Sequence, residues 1–196
     1  MTLLPAASDH PGDERFTVRL RKAVHVFCAG HFITLTDDLC EAVHGHNWLV
    51  GVDVAGPPDP HGMVVDFIRL RDALTTIVTR LDHRMLLPTR SRLLQVSTGP
   101  GPTTDGIAGP AEVTVRFKDR RWVFPADDCL LLPVANTTAE WLARWIGHQL
   151  SDALAAAGCP IDGRLRIEVD ECLGQSAVWE SAASGIHDQD PSRRLE

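Results

Sequence analysis

The chain has 196 residues, and its 44% apolar and 23% charged content is that of an ordinary globular protein, one domain with room for a sizeable core. A net charge of −7 excludes the clustered lysines and arginines that a phosphate backbone requires, so no nucleic-acid partner is expected. No apolar run approaches the roughly 18 residues of a membrane span, and residues 1–14 carry no secretory signal, so a cytoplasmic protein without a membrane partner is expected.

Residues 1–14, with Pro5, Pro11 and Gly12, read as a flexible tail. From Phe16 the alternation Phe16, Val18, Leu20 predicts a half-buried strand, and Val24, Val26 and Cys28 are expected to continue it towards His31. Residues 32–43 form a loop carrying Cys40, and a second strand runs from Gly45 to Ala55. Breakers close it between Gly56 and Gly62. Asp66 is a good N-cap for a helix over Phe67–Leu81, whose stripe comprises Phe67, Leu70, Leu74, Ile77 or Val78, and Leu81.

Residues 88–135 differ in character. A Gly/Pro/Thr-rich stretch, Ser97 to Pro110, predicts a mobile loop without the G-K-[ST] ending of a phosphate loop. Behind it, Glu112–Phe117 and Arg121–Phe124 flank Lys118, Asp119 and Arg120 and should pair as an inserted β-hairpin. A second helix is expected from Thr138 to Ala157, stopped at Gly158-Cys159-Pro160. Strands over Leu165–Glu171 and Ser176–Trp179 follow, and residues 184–196 form a second flexible tail. The order β-β-α-insert-α-β-β is an antiparallel α+β layout, one domain over 15–183 with its insertion at about 88–135.

The five cysteines form no C-x-x-C pair, so reduced thiols are expected rather than a disulfide framework or a thiolate zinc site. The chemistry concentrates in Cys40-Glu41-Ala42-Val43-His44-Gly45-His46. Alternation along a strand puts His44 and His46 on one face, where both imidazoles can reach one metal ion. His31 offers a third imidazole, with His25 as the alternative because it lies at an even offset on the same stretch. Three histidines on one zinc leave a tetrahedral position open, the mark of a catalytic site. Asp82-His83 at a helix end is either a cap or a proton-transfer pair, and Cys40 is either an inert buried thiol or a reactive one.

Phe27-x-Ala29-x-His31, Cys40-x-x-x-His44-Gly-His46-Asn47, Gly62-Met63-Val64-Val65-Asp66-Phe67 and Leu81-Asp82-His83 occur in that order. Thr138-x-Glu140-x-Leu142-Ala143 and Glu171, eight residues before Trp179, follow them. This arrangement resembles the 6-pyruvoyltetrahydropterin and bacterial 6-carboxytetrahydropterin synthases over about residues 16–87 and 136–180. The resemblance implies the tunnelling fold (T-fold), a four-stranded antiparallel sheet with two helices that assembles as a homo-oligomer, a trimer or hexamer. It implies a small pterin substrate, with Zn2+ held by His31, His44 and His46, and Cys40, Asp82 and His83 as the catalytic residues. Glu171 is implied to anchor the pterin, accepting two parallel N–H bonds from its amino-pyrimidine edge. Asp66 and Glu140 are assigned to helix termini, and Thr138 to backbone support.

Two departures accompany the resemblance. Leu87 stands where the family usually has Asn or Asp four residues after the Leu-Asp-His histidine, and residues 88–135 replace a short connection. The three residues between Cys40 and His44 resemble the carboxy-forming enzymes, whereas the pyruvoyl-forming animal enzymes usually show a longer spacing.

Overall fold

A computed structural model describes residues 15–181, Leu173 apart; the tails expected over 1–14 and 184–196 lie outside the described residues. Strands β1 (Phe16–Leu20), β2 (Val26–His31) and β3 (His44–Gly56) precede helix α1 (Phe67–Leu81). Strands β4 (Arg84–Pro88), β5 (Gln95–Thr104), β6 (Ile107–Phe117), β7 (Arg120–Pro125) and β8 (Cys129–Leu132) follow. Helix α2 (Ala139–Ala156) and strands β9 (Arg164–Cys172) and β10 (Gln175–Glu180) complete the chain.

The 13-residue β3 organises the main sheet, with β9 along one side and β2 then β1 along the other, all antiparallel. Alternation along β3 turns Trp48, Val50, Val52 and Val54 inward, where they meet Leu165, Ile167 and Val169 of β9 under α1 and α2. Helix α1 starts where the cap predicts, Asp66 Oδ1 accepting from the amides of Ile68 and Arg69 at 2.8 and 3.2 Å. Its inward stripe is Leu70, Leu74, Ile77, Val78 and Leu81, with Phe67 exposed. Trp179 of β10 lies flat on α2 at Gly147, where any Cβ would fall 2.2 Å from the indole.

Three features differ from the sequence expectation. The strand expected from Phe16 to Cys28 is two strands, and Val24, Val26 and Cys28 are exposed while Phe27, Ala29 and His31 are buried. Leu20 pairs with Val52 and Val26 with Leu49, so residues 21–25 oppose only Val50 and Gly51, and this odd excess flips the inward face. Second, β4 and β8 extend the sheet as parallel neighbours, β4 beside β2 and β8 beside β4. Residues 85–88 are all buried, so they show no alternation for a pattern to detect.

Third, the insertion holds a three-stranded antiparallel sheet, β5-β6-β7, rather than a hairpin behind a mobile loop. The expected hairpin forms between Glu112 and Pro125, but its turn is Lys118-Asp119 alone: Arg120, expected in the turn, pairs with Phe117 as the first residue of β7. Residues 97–110 are folded too, turning at Asp105-Gly106, whose φ of 53° and 79° suit a two-residue hairpin turn. Register shifts beside Gly101 accommodate the prolines and glycines that suggested a loop. Among the described residues no helix is long and apolar enough to cross a membrane.

Candidate metal centre and active site

Adjacent strands build the histidine cluster. In the β2–β3 ladder His31 pairs with His44 and Ala29 with His46, so all three imidazoles rise from one patch of the inward face. The glycine between the two β3 histidines has the close approach its place suggests: a Cβ on Gly45 would sit 3.1 Å from the Ala29 carbonyl oxygen. Trp48, the next inward residue of β3, packs edge-on against His31 and His46, with centroids 4.9 and 5.2 Å apart. The ladder from β3 to β9 then carries Glu171 to the same spot.

Ligand atoms of His31, His44, His46 and Glu171 all lie within 4.8 Å of one another. His31 Nε2 is 3.1 Å from His44 Nε2 and 3.4 Å from Glu171 Oε1, which is 3.2 Å from His46 Nε2. Neighbouring ligands about 2.0–2.1 Å from a tetrahedral centre stand about 3.3 Å apart, so this spacing suits a shared ion.

The donor set fits as well. His31 Nδ1 donates to the Thr137 carbonyl at 2.8 Å and His44 Nδ1 to the Ala42 carbonyl at 2.9 Å. With Nδ1 engaged in each ring, it is Nε2 that each presents to the other, and an ion held between two neutral rings would take both lone pairs. His46 Nε2 is buried without a hydrogen-bond partner, close to Glu171 but off the bonding direction. Burial, followed by the other two imidazoles and opposed by the Thr137 bond, lowers the His31 pKa to about 4, so the ring is neutral at pH 7.

Beside the cluster opens a cleft of about 310 Å³, lined by Ile33, Thr138, Glu140, Glu171, Gln175 and Ser176. The Thr138 hydroxyl makes no capping bond, so the first-turn N–H groups of α2 are left to other partners at the edge of this cleft.

His25, the alternative third ligand, is not part of the cluster. It lies six residues before His31, buried, with Nε2 3.4 Å from Thr75 Oγ1 of α1, and burial lowers its pKa. Asp82 and His83 combine cap and pair: Asp82 caps α1, and His83 Nδ1 sits 2.9 Å from Asp82 Oδ2. The Cys28 amide donates to Asp82 Oδ1 at 2.7 Å, and this bond, with His83, keeps the carboxylate below its usual range. His83 has a φ of 55° and a side chain 82% exposed. A side chain in this left-handed region is uncommon enough to ask for a function. Among the described residues no hydrogen bond or ion pair joins the pair to the four-residue cluster or to Cys40.

Cys40 also stands apart from the cluster. It is 5% exposed in a second apolar cluster with Phe32, Met85, Leu87, Leu94, Val113 and Val115. Burial raises its thiol pKa, opposed by Arg120, so the shift is opposite to the lowering expected of a thiol beside a metal ion.

The sequence reading missed three residues. Glu41 Oε2 is 3.9 Å from His44 Nε2; an acid three residues before a candidate ligand was the available signal. Asn136 brackets Thr34, donating from Nδ2 to its carbonyl at 3.0 Å, and Thr137 donates to the Phe32 carbonyl at 3.2 Å. Together they set the carbonyl that orients His31, a long-range role without a local motif.

Residues 20–182 match the family described as 6-pyruvoyl tetrahydropterin synthase. A Methanocaldococcus jannaschii protein provisionally named 6-carboxy-5,6,7,8-tetrahydropterin synthase is 26% identical over 156 residues, 78% of this chain and 88% of that protein. A Pyrococcus horikoshii protein with the same provisional name is 27% identical over 128 residues, 64% and 69% of the two chains. The 6-pyruvoyl tetrahydropterin synthase of Plasmodium vivax superimposes with a TM-score of 0.72 at 23% identity, over 87% of this chain and 99% of that one. Two variants of that Plasmodium enzyme are altered at a glutamate described as catalytic. The α+β layout, with its two helices on one largely antiparallel sheet, is thus the tunnelling fold. Both the matched span and the fold lead to one conclusion: the chain belongs to the 6-pyruvoyl tetrahydropterin synthase family.

Proposed function

We propose that this protein is a cytoplasmic, zinc-dependent lyase that converts 7,8-dihydroneopterin triphosphate to 6-carboxy-5,6,7,8-tetrahydropterin, on a deazapurine (queuosine-type) route. The observation that carries the reading is the convergence of three imidazole Nε2 atoms and the Glu171 carboxylate beside an open cleft. The archaeal relatives' names favour the carboxy product, as does the Cys40–His44 spacing. His31, His44 and His46 would hold the zinc ion, which would supply Lewis acidity to the substrate's side-chain hydroxyls.

The remaining work falls to the chain itself. Thr137 and Ala42 keep the His31 and His44 rings in the tautomer that leaves Nε2 free. Glu171 grips the amino-pyrimidine edge, Cys40 moves the proton at carbon, and Asp82 holds His83 as its acid/base partner. A second reading gives the proton transfer to Glu41. Its carboxylate is 3.9 Å from His44 Nε2 while the Cys40 thiol is buried in an apolar cluster, and the Plasmodium enzyme has a glutamate described as catalytic.

Incubation with dihydroneopterin triphosphate and mass spectrometry of the product tests the function. A 6-carboxy product supports the reading; a 6-pyruvoyl product replaces it with the triphosphate-eliminating synthase. Recovery of unchanged, bound pterin would leave a binding protein on the same fold. Glu171→Gln should weaken pterin binding by about 2–3 kcal/mol, because an acceptor becomes a donor facing a donor. Equal affinity in a titration calorimetry experiment would mean the carboxylate serves only the histidine cluster.

Because among the described residues no hydrogen bond or ion pair joins Asp82 or His83 to the cluster or to Cys40, we propose a site shared between copies of a trimer or hexamer. His46→Ala and His83→Ala chains, each inactive alone, are then expected to restore turnover when co-assembled. Co-assembled particles that stay inactive would return the whole site to a single chain.

A further inference from the structure

The inserted sheet touches the Cys40 loop through a residue that no catalytic role requires. Arg120, the first residue of β7, donates from Nη1 to the Cys40 carbonyl at 2.6 Å and from Nη2 to the Glu41 carbonyl at 3.2 Å. Its guanidinium lies 4.5 Å over the ring of Trp122, the next residue on that face of β7. Trp122 in turn stacks on buried Phe32, with centroids 4.6 Å apart, and Phe32 follows the candidate ligand His31. A second tie joins Lys118 to Asp38 on the same loop.

Apolar packing completes the grip. Val113, Val115 and Phe117 of β6 cover Phe32, Cys40, Met85 and Leu87. Leu87, where the resembled family usually has a polar residue, is fully buried in this contact. Leu87 thus forms part of the apolar seat on which the inserted sheet rests.

We propose that the β5-β6-β7 sheet is a clamp on the loop between β2 and β3, with Arg120 as the positioning residue that sets where Cys40 and Glu41 stand relative to the histidine cluster. A forked guanidinium can hold two successive carbonyls at once; a lysine ammonium on a flexible stem holds them less firmly. Within the loop the Leu35 amide donates to the Leu39 carbonyl at 2.9 Å and the Glu41 amide to the Ile33 carbonyl at 3.0 Å, and Arg120 ties this small turn to the inserted sheet from outside. Arg120 also opposes the effect of burial on the Cys40 thiol, so its loss acts on the group as well as on its place.

The inference about catalysis rests on the pterin-lyase reading, whereas the clamp itself is read without turnover. Arg120→Ala and the milder Arg120→Lys, in the full zinc-loaded chain, are compared with wild type by hydrogen exchange and steady-state kinetics. Amides of residues 35–41 are expected to exchange about tenfold faster in Arg120→Ala, with β3 and α2 unchanged. The value of kcat should fall about tenfold with KM within about twofold, and Arg120→Lys should recover part of both losses. Wild-type exchange over 35–41 in both variants would overturn the clamp. Faster exchange with an unchanged kcat would overturn the positioning role. If the wild-type chain turns over no pterin at all, the function reading fails, and exchange still decides the clamp.

Discussion

Replacing His31 by alanine is expected to reduce bound zinc from about one ion per chain to a trace, with loss of turnover, while His25→Ala keeps both. The reason is the donor set: His31, His44 and His46 present three Nε2 atoms to one point, two of them fixed in tautomer by backbone carbonyls. Losing an outer partner of a metal ligand typically costs 10–100-fold in affinity, and losing the ligand itself costs more than that. His25 is buried against Thr75 of α1 and, among the described residues, joins no group of candidate ligands. Elemental analysis of the dialysed variants measures the outcome. Zinc retained in His31→Ala and lost in His25→Ala would reverse the assignment.

Cys40→Ala is expected to keep fold and zinc but to lower turnover by roughly a hundredfold or more, the usual scale for a proton-transfer group. The fold should survive because the change removes one sulfur from an apolar cluster and costs about 1 kcal/mol of stability. Glu41→Gln is the necessary companion, because the Glu41 carboxylate is 3.9 Å from His44 Nε2 while the Cys40 thiol is buried and raised in pKa. If Cys40 moves the proton, Glu41→Gln has the smaller effect. The reverse ranking in kcat, with zinc content equal in both, would hand the role to the carboxylate.

These tests address residues that were legible to very different degrees. The span of α1 could be read directly, since Asp66 supplies the cap and the stripe from Leu70 to Leu81 supplies the period. His44 and His46 share a face because alternation along a strand requires it, whatever else the chain does. Residues 112–117 and 121–124 pair as the hairpin their pattern predicts, for the same local reason, although Arg120 leaves the expected turn to join the strand. Cys40, Asp82 and His83 stood out as residue types with two possible readings each, and Glu171 became a candidate only through the family resemblance, which marks positions but not distances.

Tertiary structure decided the rest. Residues 21–25 bulge against β3 and reverse the inward face, so the alternation of Val24, Val26 and Cys28 pointed the wrong way. Residues 85–88 carry no alternation, and their strand exists only because β2 and β8 offer it partners. Glu171 reaches the histidines through the β3–β9 register, and Thr137 orients His31 from the start of α2. The grip of Arg120 on the Cys40 loop likewise joins segments 80 residues apart. Capping and periodicity are settled among neighbours within a turn or two, so the sequence alone determines them for this protein. Register, the parity of a bulge and the meeting of distant side chains depend on packing summed over the whole core, and only the folded chain resolves them.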